Sequence, residues 1–303
     1  MYKLPVFETL RDGYGFVRRQ RSDLVAYAFL PVLLTAIISV FIATTGVGQI
    51  EFFNRLVGWN AEGPSQFLVY PLLTNGGPLA IIVGTMATLI QVGIFIFFSV
   101  AWYRRYLLGQ RSNPSIAVFQ WQRRHLRYSI YLFATLALFA VPFAVFFFAF
   151  LFFGGFFFGD EIVLTSEISN FTPLAVIAFI IASVLTVRFW LTLPASAVDD
   201  TQLSLRASRR ITKRNSWRMW FVIWLGTQIP FGLISAGYAE LVFEGALVPA
   251  LQNSVVLLFL AVLVLQILEF AMIAAGAACL AEIYRRFMGN APGAGAPLGP
   301  GIT

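Results

Sequence analysis

Six apolar runs, each long enough to cross a lipid bilayer, leave few folds open to this chain. They cover about 24–46, 79–103, 128–154, 173–193, 217–238 and 255–279. A helix needs about 20 residues to cross the hydrocarbon core, and only helices or closed barrels satisfy their backbone hydrogen bonds in lipid. Because the runs lack a period of two, they predict an all-α integral membrane protein. With 59% apolar and 12% charged residues, the composition also lies outside the soluble range.

The basic residues fall on one side of these predicted helices. They precede the first run, fill the second and fourth connections and follow the sixth run, and only Arg55 lies in a connection on the other side. The opposite connections carry acidic residues, namely Glu51, Glu62, Asp160, Glu161, Glu167, Glu240 and Glu244. The positive-inside rule therefore predicts a bacterial inner-membrane protein with both termini in the cytoplasm. The net charge of +7 then indicates contact with anionic lipid headgroups rather than nucleic acid.

A threefold repeat organises the predicted helices. An amphipathic basic segment, a helix outward, an outer connection and a helix back follow one another three times, which predicts three tandem hairpins. The basic segments are "VFETLRDGYGFVRRQRSD", "SIAVFQWQRRHLRYS" and "TQLSLRASRRITKRNS". In the first, an apolar stripe is formed by Phe7, Leu10, Tyr14 and Val17, so we expect this helix to lie in the headgroup plane with that stripe toward lipid.

Each repeat ends in arginine among aromatic residues. "WYRRYLLG" closes the second helix, "IYRRFMG" closes the sixth, and "VRFWLTLP" is a weaker counterpart at the fourth. Aromatic rings favour the headgroup level, and arginines there reach phosphates. The pattern predicts interfacial anchors on the cytoplasmic side, at Arg104, Arg105, Arg188, Arg285 and Arg286.

Polar groups at bilayer depth are the best functional pointers, since each is costly in lipid. Glu269 lies about fifteen residues before Arg285, roughly 20 Å along a helix. Gln266 precedes it by one turn, and Gln91 lies at a comparable depth. Two interpretations stay open: a polar site or proton-coupled pathway formed by Glu269, Gln266 and Gln91, or an interhelical hydrogen bond that holds the sixth helix.

Several local patterns carry structural expectations. Each outward-going helix holds a proline, at Pro31, Pro142 and Pro230, which indicates either a static kink or a hinge. Gly154 and Gly155 are expected to end or bend the third helix. We expect the outer connection 47–78 to form an interfacial cap and the Gly/Ala/Pro-rich tail 290–303 to be disordered beside the membrane domain 1–289.

An acidic pair, Asp199 and Asp200, precedes the third basic segment. Asp200 followed by Thr201 is typical of a helix N-cap, and a divalent ion is the alternative for the pair.

The residues needed for common catalytic chemistry are missing. The chain has no phosphate-binding glycine loop followed by Lys and Ser/Thr, no His-Glu-x-x-His and no Cys/His cluster. The only histidine, His125, lies in a basic segment, and the only cysteine, Cys279, lies in an apolar run. We therefore predict neither enzymatic activity, nor a metal site, nor a cofactor.

The second half of the chain resembles a group of bacterial multi-helix membrane proteins. The residues that carry the resemblance are "VRFWLTLPASAVDDTQLSLRASRRITKRNSWRMW" at 187–220 and "AEIYRRFMG" at 281–289. They are similar to the membrane domain attached to some glycerophosphodiester phosphodiesterases and to its stand-alone relatives. The resemblance implies a six-helix membrane domain without assigned catalysis and a connection with membrane lipids. The phosphodiesterase catalytic domain has no counterpart in these 303 residues.

Two functions follow as expectations. The first is an integral inner-membrane protein with a structural, lipid-associated or partner-binding role, the protein partner being unspecified. The alternative is a small permease or lipid-handling transporter that uses the proline-containing helices and Glu269. An intramembrane enzyme is a more distant third.

Overall fold

The computed structural model describes residues 3–44, 78–109, 121–158, 172–201, 203–244, 251 and 253–289, and no strand occurs among them. The α-helices are α1 Val6–Arg19, α2 Arg21–Thr44, α3 Pro78–Leu108, α4 Arg123–Phe158, α5 Thr172–Thr186, α6 Thr192–Ala197, α7 Leu205–Thr212, α8 Ser216–Trp220, α9 Ile229–Ala239 and α10 Val255–Gly289. A 3₁₀ turn, Val187–Phe189, follows α5, and π-helical segments, Phe221–Gln228 and Glu240–Glu244, flank α9. The predicted cap 47–78, apart from its last residue, and the tail 290–303 lie outside the described residues.

Six helical stretches of the described chain are long and apolar enough to cross a membrane. They are Arg21–Ile42, Ile82–Leu108, Arg123–Val145, Ile177–Ala197, Ser216–Val242 and Val255–Gly289. Each overlaps one predicted run, which confirms the all-helical, six-span character of the chain. Two helices, α3 and α10, continue past the predicted limits because their charged last turns bond to protein groups.

The last helix, α10, lies at the centre of the bundle. It packs against α1, α2, α3, α9 and the π-helical segment before α9. Its small side chains permit these close approaches, since Ala274, Ala278 and Ala281 are completely buried. Large rings of α3 fill the space beside it, and Trp102 donates a hydrogen bond to the Ala274 carbonyl at 3.0 Å. This helix therefore forms the centre of the interior packing.

The first helix docks on the bundle, and the expectation that its apolar stripe faces lipid is wrong. Leu10 and Val17 pack against the buried core, whereas Phe7 at the start of the stripe is 86% exposed. Two close contacts hold α1 against the bundle: Gly13 packs against Cys279 of α10, and Leu10 packs against Gly226. A protein surface, rather than the bilayer, receives most of the stripe.

The third basic segment begins at a different cap from the one predicted. Ser204 is the N-cap of α7, and its hydroxyl accepts from the Ala207 amide at 3.3 Å. Asp200 accepts instead from the Tyr284 hydroxyl of α10 at 2.7 Å. The Asp200 carboxylate, predicted to cap the helix, therefore forms a tertiary hydrogen bond instead.

The prolines lie within or beside helices, and their roles as kinks or hinges stay predictions. Pro31 and Pro142 lie inside α2 and α4, and Pro230 follows a π-helical segment in which the Ile229 amide donates to the Trp224 carbonyl five residues earlier. Proline lacks an amide hydrogen, so the backbone around it must rearrange its bonds. In α4 the helix continues through Gly154 and Gly155 to Phe158, so the expectation that it ends there is wrong.

Candidate functional site

A buried carboxylate, Glu282, organises the charged end of the bundle. Its side chain is 1% exposed and accepts from the Tyr106 hydroxyl at 2.7 Å and from Arg286 Nε at 2.6 Å. Arg285 also pairs with the Glu282 carboxylate, at 2.7 Å, and its guanidinium carbon lies 5.9 Å from the Tyr106 ring centroid. Charge-assisted bonds of this length are the strong class, and they satisfy a carboxylate that would otherwise be costly to bury.

The same network ties α1 to α10. Arg286 reaches Asp12 at 2.6 Å and Glu8 at 3.3 Å, so one guanidinium joins Glu282 to two carboxylates of α1. Three carboxylates that share one region, with Glu282 buried, need nearby cations to offset their mutual repulsion and their desolvation. The docked position of α1 is therefore part of the charge balance of this end of the bundle.

Further bonds hold α1 at its middle and just before its start. The Tyr14 hydroxyl donates to the Gly226 carbonyl at 2.6 Å, and burial, helped by Cys279, raises the pKa of this phenol above its ordinary value. At the amino end, the Leu4 amide donates to Asn215 Oδ1 at 3.0 Å, and its carbonyl accepts from Arg218 at 2.9 Å. The chain thus closes one end of the bundle, here called the basic end, which carries α1, α7 and the last turns of α3 and α10.

Arg105 is a second buried ion-pair centre. Its side chain is 2% exposed, bonds Asp23 at 2.6 Å and Gln20 at 2.8 Å, and donates to the Gly109 carbonyl at 3.0 Å. Gly109 has a φ of 65°, which a residue without a Cβ adopts without strain. The Arg105 guanidinium thus bonds protein groups, and its role as an interfacial anchor stays a prediction.

The other predicted anchors are divided between the interior and the surface. Arg104 and Arg124 both approach Asp199, at 3.5 and 3.6 Å, and Arg188 donates to Ser216 at 2.6 Å. The Arg188 side chain thus bonds α8 rather than Glu269. Arg286 is 18% exposed, whereas Arg285 at 46% is the most exposed of the five.

Outward-facing basic residues form a separate set at this end. Around the end of α1 and along α7, seven are exposed and form no ion pair with any carboxylate in the described part of the chain, namely Arg18, Arg19, Arg21, Arg206, Arg209, Arg210 and Lys213. Three follow or end α1, and four lie on or directly after α7. The basic end therefore presents surplus positive charge outside a charge-balanced interior.

The intramembrane polar residues form two groups rather than one. Gln91 donates to Ser39 of α2 at 3.0 Å. Gln266, 4% exposed, is hydrogen-bonded to Glu269, and its Oε1 has no partner among the described residues. Gln91 and Glu269 have no bond to each other. The structure therefore unites Gln266 with Glu269 and leaves Gln91 in a bond between α2 and α3.

Two grooves on the membrane-facing surface are apolar. One, of about 330 Å³, lies between α2 and α3 and is lined by Leu34, Ile38, Ile90, Gly93, Ile94 and Phe97. The other, of about 420 Å³, lies between α2 and α10 and is lined by Ile37, Val40, Phe41, Val255, Val256 and Phe259. Neither groove reaches Glu269 or Gln91.

His125 and Cys279 are both buried among protein groups. His125 is 5% exposed, and its Nδ1 accepts from the Gln122 amide at 3.0 Å, so it does not face headgroups. Cys279 is fully buried against Gly13. Within the described ranges, no three His, Cys, Asp or Glu side chains are placed to hold a metal ion together.

Comparisons of the chain with protein-family models, curated proteins and solved structures found no match. The resemblance to membrane domains of glycerophosphodiester phosphodiesterases accordingly stays a prediction.

The residue that sequence reasoning missed is Glu282. It precedes Arg285 and Arg286 by three and four positions, a spacing that places opposite charges side by side on a helix. That spacing was a usable signal for the ion pairs. It gives no sign of burial, because burial depends on α1 and Tyr106, which are remote in sequence.

Proposed function

We propose that this protein is a lipid-associated membrane protein whose basic end binds anionic headgroups. The seven exposed basic side chains without carboxylate partners support this function most directly. Each Lys or Arg near an anionic surface contributes about 1 kcal/mol of attraction. The structural, partner-binding and non-catalytic aspects of the predicted function stay predictions beside it.

The proposed setting is a bacterial inner membrane with both termini in the cytoplasm. The positive-inside rule supports this orientation, since the basic end then faces anionic lipid of the inner leaflet. Three tandem hairpins are the proposed arrangement. Contacts between sequential spans support it: α2 packs on α3, α4 on α5, and α9 on α10.

Lipid-dependent stability tests the proposed function. Adding phosphatidylglycerol to the detergent-solubilised protein is expected to raise its Tm more than phosphatidylcholine does, because a ligand that binds only the folded state stabilises it. At 100 times Kd this amounts to about 2.7 kcal/mol. Replacing Arg206, Arg209 and Arg210 of α7 with glutamine should remove most of the difference between the lipids.

The matched control keeps the charge and changes the side chain. Lysine at the same positions of α7 should retain the response to phosphatidylglycerol, because attraction to a surface depends on charge more than on guanidinium geometry. Equal Tm shifts from both lipids in the wild-type protein would contradict the proposed function. So would an unchanged phosphatidylglycerol response in the glutamine variant.

A small permease or lipid-handling transporter is the second candidate. One observation favours it: Gln266 Oε1 is buried without a described partner beside the Glu269 carboxyl. Polar groups at bilayer depth commonly belong to substrate or proton pathways. The two apolar grooves, neither of which reaches Glu269, favour the first function instead.

A further inference from the structure

We propose that the groove between α2 and α3 binds an acyl chain of an anionic phospholipid. The inference rests on the proposed function and names the site at which one lipid is held. Its six lining residues are all apolar, and they come from two helices only, with Leu34 and Ile38 on α2 facing Ile90, Gly93, Ile94 and Phe97 on α3.

Two polar contacts fix where the groove lies along the helices. Arg105 pairs with Asp23 on the side of the basic end, and Gln91 bonds Ser39 near the far limit. Phe97 is eight residues from Arg105 and Ile90 is fifteen, so the groove extends from about 12 to about 22 Å from that ion pair. This interval falls within the hydrocarbon core, which is about 30 Å thick. A lipid chain is the apolar molecule present at that depth.

The end of the groove nearest the basic end has an interfacial character. Phe97 packs against Trp121 at 5.5 Å and His125 at 4.8 Å, measured between ring centroids. Trp121 is 58% exposed, as expected of a ring at the headgroup level. A lipid chain that enters at this end would therefore have its headgroup beside the start of α4.

Positive charge beside that entry favours an anionic headgroup. Arg104 follows Phe97 by seven residues, which places it on the same face of α3 two turns closer to the basic end. It shares the carboxylate of Asp199 with Arg124, and Arg123 next to them is exposed without a described carboxylate partner. Two guanidinium groups on one carboxylate, with exposed Arg123 adjacent to Arg124 in sequence, leave net positive charge at the entry.

Gly93 keeps the groove open. A Cβ built at this position meets no atom within 4 Å, so a larger side chain would occupy the groove without displacing protein. Gly237 of α9 has equally open surroundings and does not line the groove. The two glycines permit a matched test. The same substitution fills the groove at Gly93 and projects into open space at Gly237.

The test uses phosphatidylglycerol with a photoreactive diazirine in one acyl chain, incorporated into vesicles with the full-length protein. Cross-links located by mass spectrometry are expected on Leu34, Ile90 or Ile94. In Gly93→Leu their yield should fall about tenfold, equivalent to about 1.4 kcal/mol. Gly93→Ala should give an intermediate loss, and Gly237→Leu should match the wild-type protein.

Several results would overturn the site. They are an unchanged cross-link yield in Gly93→Leu, an equal loss in Gly237→Leu, or equal labelling by the corresponding phosphatidylcholine probe. Thermal unfolding of each variant shows that the comparison is made on folded protein. If the groove cross-links persist in Gly93→Leu while the α7 variants still lose their response to phosphatidylglycerol, the groove assignment fails and the proposed function stands.

Discussion

Replacing Glu282 with alanine is expected to destabilise the protein by about 1–3 kcal/mol, because the partly buried Tyr106 hydroxyl and two guanidinium groups lose a buried acceptor. Arg286 would retain Asp12 and Glu8, but Tyr106 and Arg285 would lose a bonded carboxylate at 2.7 Å each. Glu282→Gln keeps the shape and some hydrogen bonds, so its loss should be smaller. Equilibrium unfolding in mixed micelles measures the free energy of unfolding.

The matched control for Glu282 is Glu240→Ala. Glu240 is exposed at the start of the π-helical segment that follows α9. Removing an exposed carboxylate that has no ion-pair partner among the described residues should change stability by less than about 0.5 kcal/mol. An equal effect at both positions would contradict the role assigned to Glu282.

The second large effect is expected at Gly13, where α1 crosses α10. A Cβ there would lie 2.7 Å from Cys279 Sγ and 3.2 Å from the backbone of Cys279, so alanine must push the helices apart. Overpacking of this kind costs about 1–3 kcal/mol. Hydrogen exchange is the measurement: the amides of α1 should exchange faster in Gly13→Ala, while those in the middle of α10 keep their protection.

Gly15 supplies the control on the same helix. A Cβ at Gly15 meets only the end of the flexible Arg19 side chain, at 3.3 Å. Alanine favours a helix over glycine by up to about 1 kcal/mol, so Gly15→Ala should be neutral or stabilising. Faster exchange in both variants, or in neither, would contradict the close docking of α1 through Gly13.

Helix positions were predictable because lipid imposes a strict rule on sequence. A span must be apolar for about 20 residues, and this length stands out without knowledge of any tertiary contact. Helix ends were less predictable. Past Tyr103 and Cys279 the sequence turns charged, yet α3 and α10 continue, since Arg105 bonds Asp23 of α2 and Glu282 bonds Tyr106 of α3.

The placement of α1 could not be derived from its amphipathic pattern. An apolar stripe fits a bilayer surface and a protein surface equally well. Gly13 and Gly226 decide between the two by permitting close approach, but each glycine is informative only when its partner is known. The ion pairs of Asp12 and Glu8 could not be predicted from local sequence either, because their partner Arg286 is more than 270 positions away.

The candidate polar site was predicted in part. Gln266 and Glu269 share one helix, so their spacing of three residues places them side by side. Gln91 was assigned by depth alone, and depth leaves the direction of a side chain around the helix axis undetermined. Its bond to Ser39 therefore separates it from Glu269.

The central proposal is that this protein binds anionic lipid at its surface and has no water-filled pathway to Glu269. Thiol labelling tests it in a protein with Cys279→Ala and Glu269→Cys, using a membrane-impermeant maleimide on each side of sealed vesicles. Lys213→Cys, at an exposed position of the basic end, is the positive control. The proposed function predicts labelling at position 213 from one side and none at position 269 from either side. Labelling of position 269 would contradict the closed interior and favour the permease.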